Sequence, residues 1–199
     1  MPITMARPAD TRTRIETAAL RLFVEKGVDA TSVRDIAQAV GIADGALYRH
    51  FESKDDLVWT LFETNYVDLA RRLDELGRIA SGARDRLAAM ITGFCRYHDD
   101  NPILFRFLLF VQHGQLAKLR PGTANPVDVV HDVLAAALAR GELPRQDPAL
   151  ATALVLGIVL QPATFAAYGR LPATLGPQRE RLIAAAWAAL NATSPGAPR

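Results

Sequence analysis

Tyr48 and Arg49 are the residues of this chain best equipped to recognise another molecule. A phenol hydroxyl can donate to a phosphate oxygen while its ring lies against a thymine methyl, and a guanidinium pairs with phosphate or with the acceptor edge of guanine. Both fall within residues 31–51, TSVRDIAQAVGIADGALYRHF, beside Gly45 and Ala46, whose small size would let a backbone come close to base edges. Lys54, just beyond, is the expected phosphate clamp, assisted by free N–H groups at the start of the helix it opens. Thr31, Ser32 and Arg34 are candidates for further contacts to the sugar-phosphate backbone.

Those groups need two short helices and a corner. Val33, Ile36, Ala37 and Val40 recur at i, i+3, i+4 and i+7, the apolar face of an amphipathic helix. Thr31 or Ser32 can cap its start, with Asp35 three residues after Ser32 at capping-box spacing, and Gly41 can end it in the left-handed conformation. A second helix, expected over 43–51, turns Ala43, Leu47, His50 and Phe51 inward and Asp44, Gly45, Tyr48, Arg49 and Glu52 outward. Two helices joined around a glycine make a helix-turn-helix, the second short and exposed enough to enter a major groove. A preceding helix over 11–26, with Ile15, Ala18, Ala19, Leu22 and Phe23 on one face, packs behind the pair. The first ten residues read as a disordered arm; Arg7, Arg12 and Arg14 near its root either touch DNA or are simply solvated.

The run ATSVRDIAQAVGIADGALYRHFESKDDLV, preceded by RIETAALRLFVEKGVDA, resembles the N-terminal DNA-binding domain of the TetR/AcrR family of bacterial transcriptional regulators. The likeness covers roughly 11–61 and includes A-x-x-L-F-x-x-x-G, T-S-V-R-D-I-A, L-Y-x-H-F and S-K-x-x-L. It implies DNA-contact roles for Thr31, Arg34, Gly45, Leu47, Tyr48, His50 and Lys54, with Leu47 and His50 the more structural. It also implies an all-α chain of about nine helices, with a helix-turn-helix domain at 11–56 and a ligand-binding and dimerising domain at 57–191. Two positions depart from the pattern: relatives commonly carry a hydroxyl residue where Ala43 stands and often a basic one in place of Asp44, which either caps the recognition helix or reads a cytosine amino group.

Composition sets bounds around this reading. Half of the 199 residues are hydrophobic, enough for a real core, and the net charge of +2 favours no partner. Up to Asp56, eight basic residues (Arg7, Arg12, Arg14, Arg21, Lys26, Arg34, Arg49, Lys54) face nine acidic ones (Asp10, Glu16, Glu25, Asp29, Asp35, Asp44, Glu52, Asp55, Asp56), so any DNA affinity must come from a focused face. The motif, and not bulk electrostatics, carries the DNA reading. Cys95 is the single cysteine, which excludes an intrachain disulfide and suits a reducing cytoplasm; MPITMARPAD lacks a signal-peptide core. The longest apolar run, 149–160, is about 12 residues, short of the roughly 20 that a membrane span needs. No phosphate loop, G-x-S-x-G or paired carboxylates suggest an enzyme, and no cofactor is expected. Cys95 and His98 at i, i+3 are too little for a metal site.

The remainder reads as helices. A long one from Ser53 toward Gly77 carries Leu57, Leu61, Phe62, Tyr66, Leu69 and Leu73 and is the expected transmission element, with 78–84 a loop. Others are expected over about 84–98, 102–119 (apolar on most sides and so surrounded), 124–140, 148–168 (kinked at Pro162) and 174–191, with a frayed tail from 192. Phe62, Tyr66, Phe94, Tyr97, Phe105, Phe110 and Phe165, with His98 and His113 as polar contacts, are candidates to line a cavity for a small effector; each is also plausible as ordinary core. The last two helices are apolar on more than one side, so Leu154, Ile158, Phe165, Ile183, Trp187 and Leu190 are candidates for a twofold dimer interface. Together these features indicate a cytoplasmic homodimeric regulator, a repressor, that binds an inverted-repeat operator and is released by a small apolar molecule. The alternative is a helical ligand-binding or protein-interaction module without DNA binding.

Overall fold

A computed structural model describes residues 10–192; among these, nine α-helices and two short 3-10 turns account for all the regular structure. The helices are α1 Thr11–Lys26, α2 Val33–Val40, α3 Asp44–Leu47, α4 Lys54–Ile79, α5 Ala83–Asp100, α6 Pro102–Gln115, α7 Pro126–Ala139, α8 Pro148–Ala167 and α9 Arg179–Asn191. The expected arm with Arg7 and the tail beyond Ala192 lie outside the described residues. The chain divides into two compact units, one running to Thr64 and taking in Arg106–Ala117, the other comprising Asn65–Phe105 and the residues from Lys118 onward.

The first unit is built on the i, i+4 stripe of α1. Ile15, Ala19 and Phe23 are buried there, along with Ile36, Ala37 and Val40 of α2, Leu47, Phe51, and Leu57, Val58, Leu61 and Phe62 of α4. Burying one such side chain is worth roughly 1.5–3 kcal/mol, so this cluster, more than helix propensity, holds the short α2 and α3 in place. Phe107 of α6 joins it, stacked on Phe23 with ring centroids 5.9 Å apart.

The second unit packs α7 against α8, α8 against α9, and α5 against both α7 and α9. Three carboxylate or amide side chains tie its loops. Asp99 accepts from the backbone N–H groups of Leu175 (2.7 Å) and Gly176 (2.8 Å), Glu142 accepts from that of Ala83 (2.5 Å), and Gln146 donates to the carbonyl of Leu190 (2.7 Å).

Several boundaries differ from the sequence expectation. Gly77 does not end α4: an added Cβ would lie 3.4 Å from the Met90 sulfur and 3.7 Å from Val133 Cγ2, so this glycine serves close helix packing, and the helix runs on to Ile79. Segment 102–119 is not surrounded, since Ile103 and Phe110 are exposed, and it ends in a 3-10 turn at Leu116–Lys118. The last helix begins at Arg179, after a 3-10 turn at Gly176–Gln178 that contains Pro177. Gln161 and Pro162 do not interrupt α8, whose 20 residues reach a mean hydropathy of 1.8 and are long and apolar enough, by length and composition, to cross a membrane. In this fold it lies between α7 and α9 instead.

Candidate nucleic-acid interface

The entry to α2 is fixed by side chains. Ser32 Oγ accepts from the Asp35 N–H (3.1 Å), and the Asp35 carboxylate accepts from the Ser32 N–H (2.8 Å), the reciprocal capping box expected from the spacing. The hydrogen bond from the Ser32 hydroxyl, then that from its N–H, with Lys26 and Arg34 nearby, hold the Asp35 carboxyl below the usual carboxylate range. Gly41 ends α2 with φ 74°, a left-handed value that costs glycine nothing, and Ile42 N–H returns to Ala37 O (3.0 Å). Arg14 of α1 donates to the Val40 carbonyl at the same helix end (2.5 Å), a cation where the dipole favours one.

Helix α3, expected to be the recognition helix, is one turn only. Asp44–Leu47 is helical, Ala43 is the N-cap without a side-chain bond, and residues 48–50 continue as a hydrogen-bonded turn closed by His50 N–H on Leu47 O (2.9 Å) and Phe51 N–H on Leu47 O (3.1 Å). Asp44 is thus the first helical residue and not the cap. Ala43, expected inward, is exposed, because the chain is still extended there. Leu47 and Phe51 are fully buried as the periodicity requires, and they anchor the turn so that Asp44, Gly45, Tyr48 and Arg49 face out; Tyr48 is 55% exposed. Ser32 and Arg34 are exposed as well, while Ala46 and His50 are half-buried.

Two expected DNA contacts are turned inward. Thr31 is 0% exposed, and its hydroxyl donates to Gly27 O (2.7 Å) and Leu22 O (3.3 Å), closing the α1–α2 turn. Lys54 Nζ donates to Val28 O (2.8 Å) and Thr31 O (3.0 Å), so its ammonium ties α4 to that same turn instead of waiting for a phosphate. The first turn of α4 carries Asp55 and Asp56, which repel an anion, and the Asp56 carboxylate already accepts the Glu52 N–H (2.9 Å) while Ser53 Oγ caps the Asp56 N–H (3.0 Å). Arg12, also expected near DNA, pairs with Glu16 (3.1 Å), lies 4.5 Å over the Phe51 ring and donates to His50 O (3.3 Å). It therefore supports the turn after α3. Sequence reasoning missed the carbonyl partners of the exposed Arg12 and Arg14 and of the half-buried Lys54, because nothing in local spacing pairs a cation with a carbonyl more than 20 residues away.

The candidate effector residues fall in both units: Phe62, Phe110 and His113 in the first, and Tyr66, Phe94, Tyr97, His98, Phe105 and Phe165 in the second. Phe94, His98 and Phe105 do come together, Phe105 standing edge-on to Phe94 (5.3 Å) and to His98 (4.8 Å). The His98 imidazole is buried and its Nδ1 is 2.8 Å from Asp99, so that nitrogen is not an open polar contact. Tyr97 donates to Asn65 O (3.3 Å), and burial pushes the phenols of Tyr66 and Tyr97 each up to about 12. Phe110 and His113 are exposed on α6.

Of the dimer candidates, Leu154 and Phe165 are exposed on α8, and Ile158, Ile183 and Trp187 are half-buried. Leu190 is 0% exposed and belongs to the core of its own subunit, which corrects its place in that set. Leu150, which the sequence reading passed over, is exposed one turn before Leu154.

Residues 15–59 match the family described as bacterial regulatory proteins, tetR family. The HTH-type transcriptional repressor KstR2 of Rhodococcus jostii (strain RHA1) is 42% identical over 83 residues, which cover 41% of this chain and 40% of that protein. The HTH-type transcriptional regulator AcrR of Shigella flexneri is 46% identical over 63 residues, 30% of this chain and 29% of the relative. These matches therefore span less than half the length of either relative. Across the fold, the transcriptional regulator FadR from Bacillus subtilis, solved in complex with stearoyl-CoA, superposes with a TM-score of 0.71 over 87% of this chain and 96% of that one. At 18% identity that likeness is one of fold. Over these N-terminal helices the chain is similar to the bacterial regulatory proteins of the tetR family.

Proposed function

We propose that this chain is a ligand-responsive transcriptional repressor of the cytoplasm that binds an inverted-repeat DNA operator as a homodimer. The observation that carries this reading is the exposed face of Gly45, Tyr48 and Arg49 on a turn anchored from behind by Leu47 and Phe51, within the 15–59 family match. Ser32 and Arg34 flank that face, Ala46 and His50 border it, and Tyr48 and Arg49 supply the hydroxyl and guanidinium that touch phosphate and base edge. The exposed Leu150, Leu154 and Phe165 of α8, with Ile183 and Trp187 of α9, support pairing of two copies through these helices. A twofold dimer sets two recognition turns about 34–36 Å apart, or a multiple of that, and so requires an inverted repeat.

An effector with an apolar body draws support from the fold likeness to a regulator solved with stearoyl-CoA, whose acyl chain is apolar, and repression from a relative named as a repressor. Its release of DNA equals its differential affinity for two conformers, and α4, whose residues belong to both units, is the element through which the two would be coupled. The test is a titration of the promoter beside its own gene at two salt concentrations, with random DNA as the competitor. A regulator binds that promoter at least a thousandfold tighter than random DNA, with a steep salt dependence. A second reading, a helical module without DNA binding, draws on Asp44 at the exposed start of α3 and the acidic first turn of α4. Equal, weak binding to promoter and random DNA would favour it.

A further inference from the structure

The first unit contains a groove that neither DNA reading nor dimerisation uses. It is a half-open groove with room for about 580 Å³, within the roughly 300–1,000 Å³ range of small-molecule sites. Phe23, Val58, Phe107, Phe110 and Val111 make its walls, contributed by α1, α4 and α6. Gly27 and Gly114 also line it, and a Cβ built on either would meet nothing within 4 Å, so the space is open on both sides. Phe110 presents a ring that is 42% exposed next to a Phe107 that is fully buried.

Two polar features mark what would fit. Gln115 Oε1, on a lining residue, is shielded from water and has no donor, a state that disfavours the empty groove until a donor arrives. Asp29 is the one charged residue among those lining the groove, and it is exposed. The nearby cations are engaged elsewhere: Lys26 faces Asp35 at 3.8 Å, and Lys54 holds the Val28 and Thr31 carbonyls. Arg106 lies 5.8 Å over the Phe110 ring and is not part of the lining.

We propose that this groove binds a small molecule with an apolar, ring-sized body and a cationic N–H-donating head. The body lies in the groove against the wall that Phe107, Phe110 and Val111 make with Phe23 and Val58, the N–H satisfies Gln115 Oε1, and the Asp29 carboxylate selects for positive charge. This site stands independently of the DNA reading.

The experiment uses the full chain and three probes of one shape: biphenyl-4-ylmethylammonium, biphenyl-4-ylmethanol and biphenyl-4-carboxylate. Calorimetry and amide chemical-shift mapping should show the ammonium binding at least tenfold tighter than the carboxylate, with the alcohol between them and shifts centred on Val111, Gly114 and Gln115. Gly114→Leu, which puts a side chain into open space on a helix, should abolish binding; Gln115→Leu and Asp29→Asn should each weaken the ammonium several-fold. If Gly114→Leu does not melt cooperatively, Val111→Trp fills the groove in its place. The proposal is overturned if no probe binds up to millimolar concentration, if the carboxylate binds as well as the ammonium, or if the filling variant leaves binding unchanged.

Discussion

Replacing Lys54 by methionine separates two roles that this side chain cannot hold at once. Methionine keeps the apolar stem and removes the ammonium, which donates 2.8 Å to Val28 O and 3.0 Å to Thr31 O. Val28 O retains a second donor in the Thr31 N–H (3.3 Å), so the carbonyl left worst off is that of Thr31. Hydrogen bonds from a charged donor are worth about 1.5–3 kcal/mol, and Lys54 is half-buried, so the net loss is about 2 kcal/mol. For a chain of this size that lowers the melting midpoint by roughly 4–8 °C, followed by circular dichroism. Operator affinity should fall because the α1–α2 turn that leads into α2 loosens, but the slope of log affinity against log salt should stay as in the wild type. A phosphate clamp behaves in the opposite way: its removal leaves the melt untouched and reduces the slope by about 0.9 per protomer. A Lys54→Met protein with wild-type stability and a flattened salt slope would refute the inward tie.

The other predictions concern single groups. Tyr48→Ala, at a side chain that is 55% exposed, should leave the melt within about 0.5 kcal/mol of wild type while weakening operator binding about tenfold; equal binding would move the contact face elsewhere. Leu154→Asp with Phe165→Asp should convert a sedimenting dimer to a monomer, since both side chains are exposed on α8, and an unchanged sedimentation coefficient would rule that face out. Desolvation raises the Asp99 carboxyl, but hydrogen bonds from His98, Leu175 and Gly176 outweigh it and set its folded value below the ordinary 3.8. Its stabilisation is therefore complete above about pH 4 and is lost as pH falls through the lowered value, so the stability gap between wild type and Asp99→Asn should close on that side and stay constant on the alkaline side. Burial pushes the Cys95 thiol up to about 11, so iodoacetamide at pH 8 should alkylate it in denaturant and not in the native protein.

The helices that periodicity predicted best are those whose ends are set by their own residues. α1 runs over 11–26 as expected, and α2 begins at the Ser32–Asp35 capping box and stops at Gly41, all within one turn of the helix. Helix α3 was overextended because the i, i+4 pattern of Leu47, His50 and Phe51 continues past its last helical turn. The pattern records only which side chains face inward, and a hydrogen-bonded turn satisfies it as well as a helix does. At Gly77 the error ran the other way. A glycine reads as a stop when considered alone, whereas here the side chains of Met90 and Val133 make its lack of a Cβ useful inside a helix.

For the candidate site, the divide falls between groups that face outward and groups that reach across. Tyr48, Arg49 and Gly45 could be placed from local periodicity because exposure on a short anchored turn follows from burying Leu47 and Phe51. Thr31 and Lys54 could not: the Thr31 hydroxyl folds back on the end of α1, onto Gly27 O and Leu22 O, and the Lys54 partners are carbonyls whose position depends on how the α1–α2 turn meets α4. Lys54 reaches Val28 across 26 residues, as Asp99 reaches Leu175 across 76 and Glu142 the Ala83 N–H across 59. A half-buried cation with two carbonyl acceptors gains more from them than from water, so once the fold brings Val28 and Thr31 beside α4, the same lysine that local spacing offers to a phosphate is drawn into the protein. On the proposed DNA reading, base and phosphate contact then falls to the outward turn, and the lysine serves the turn between α1 and α2.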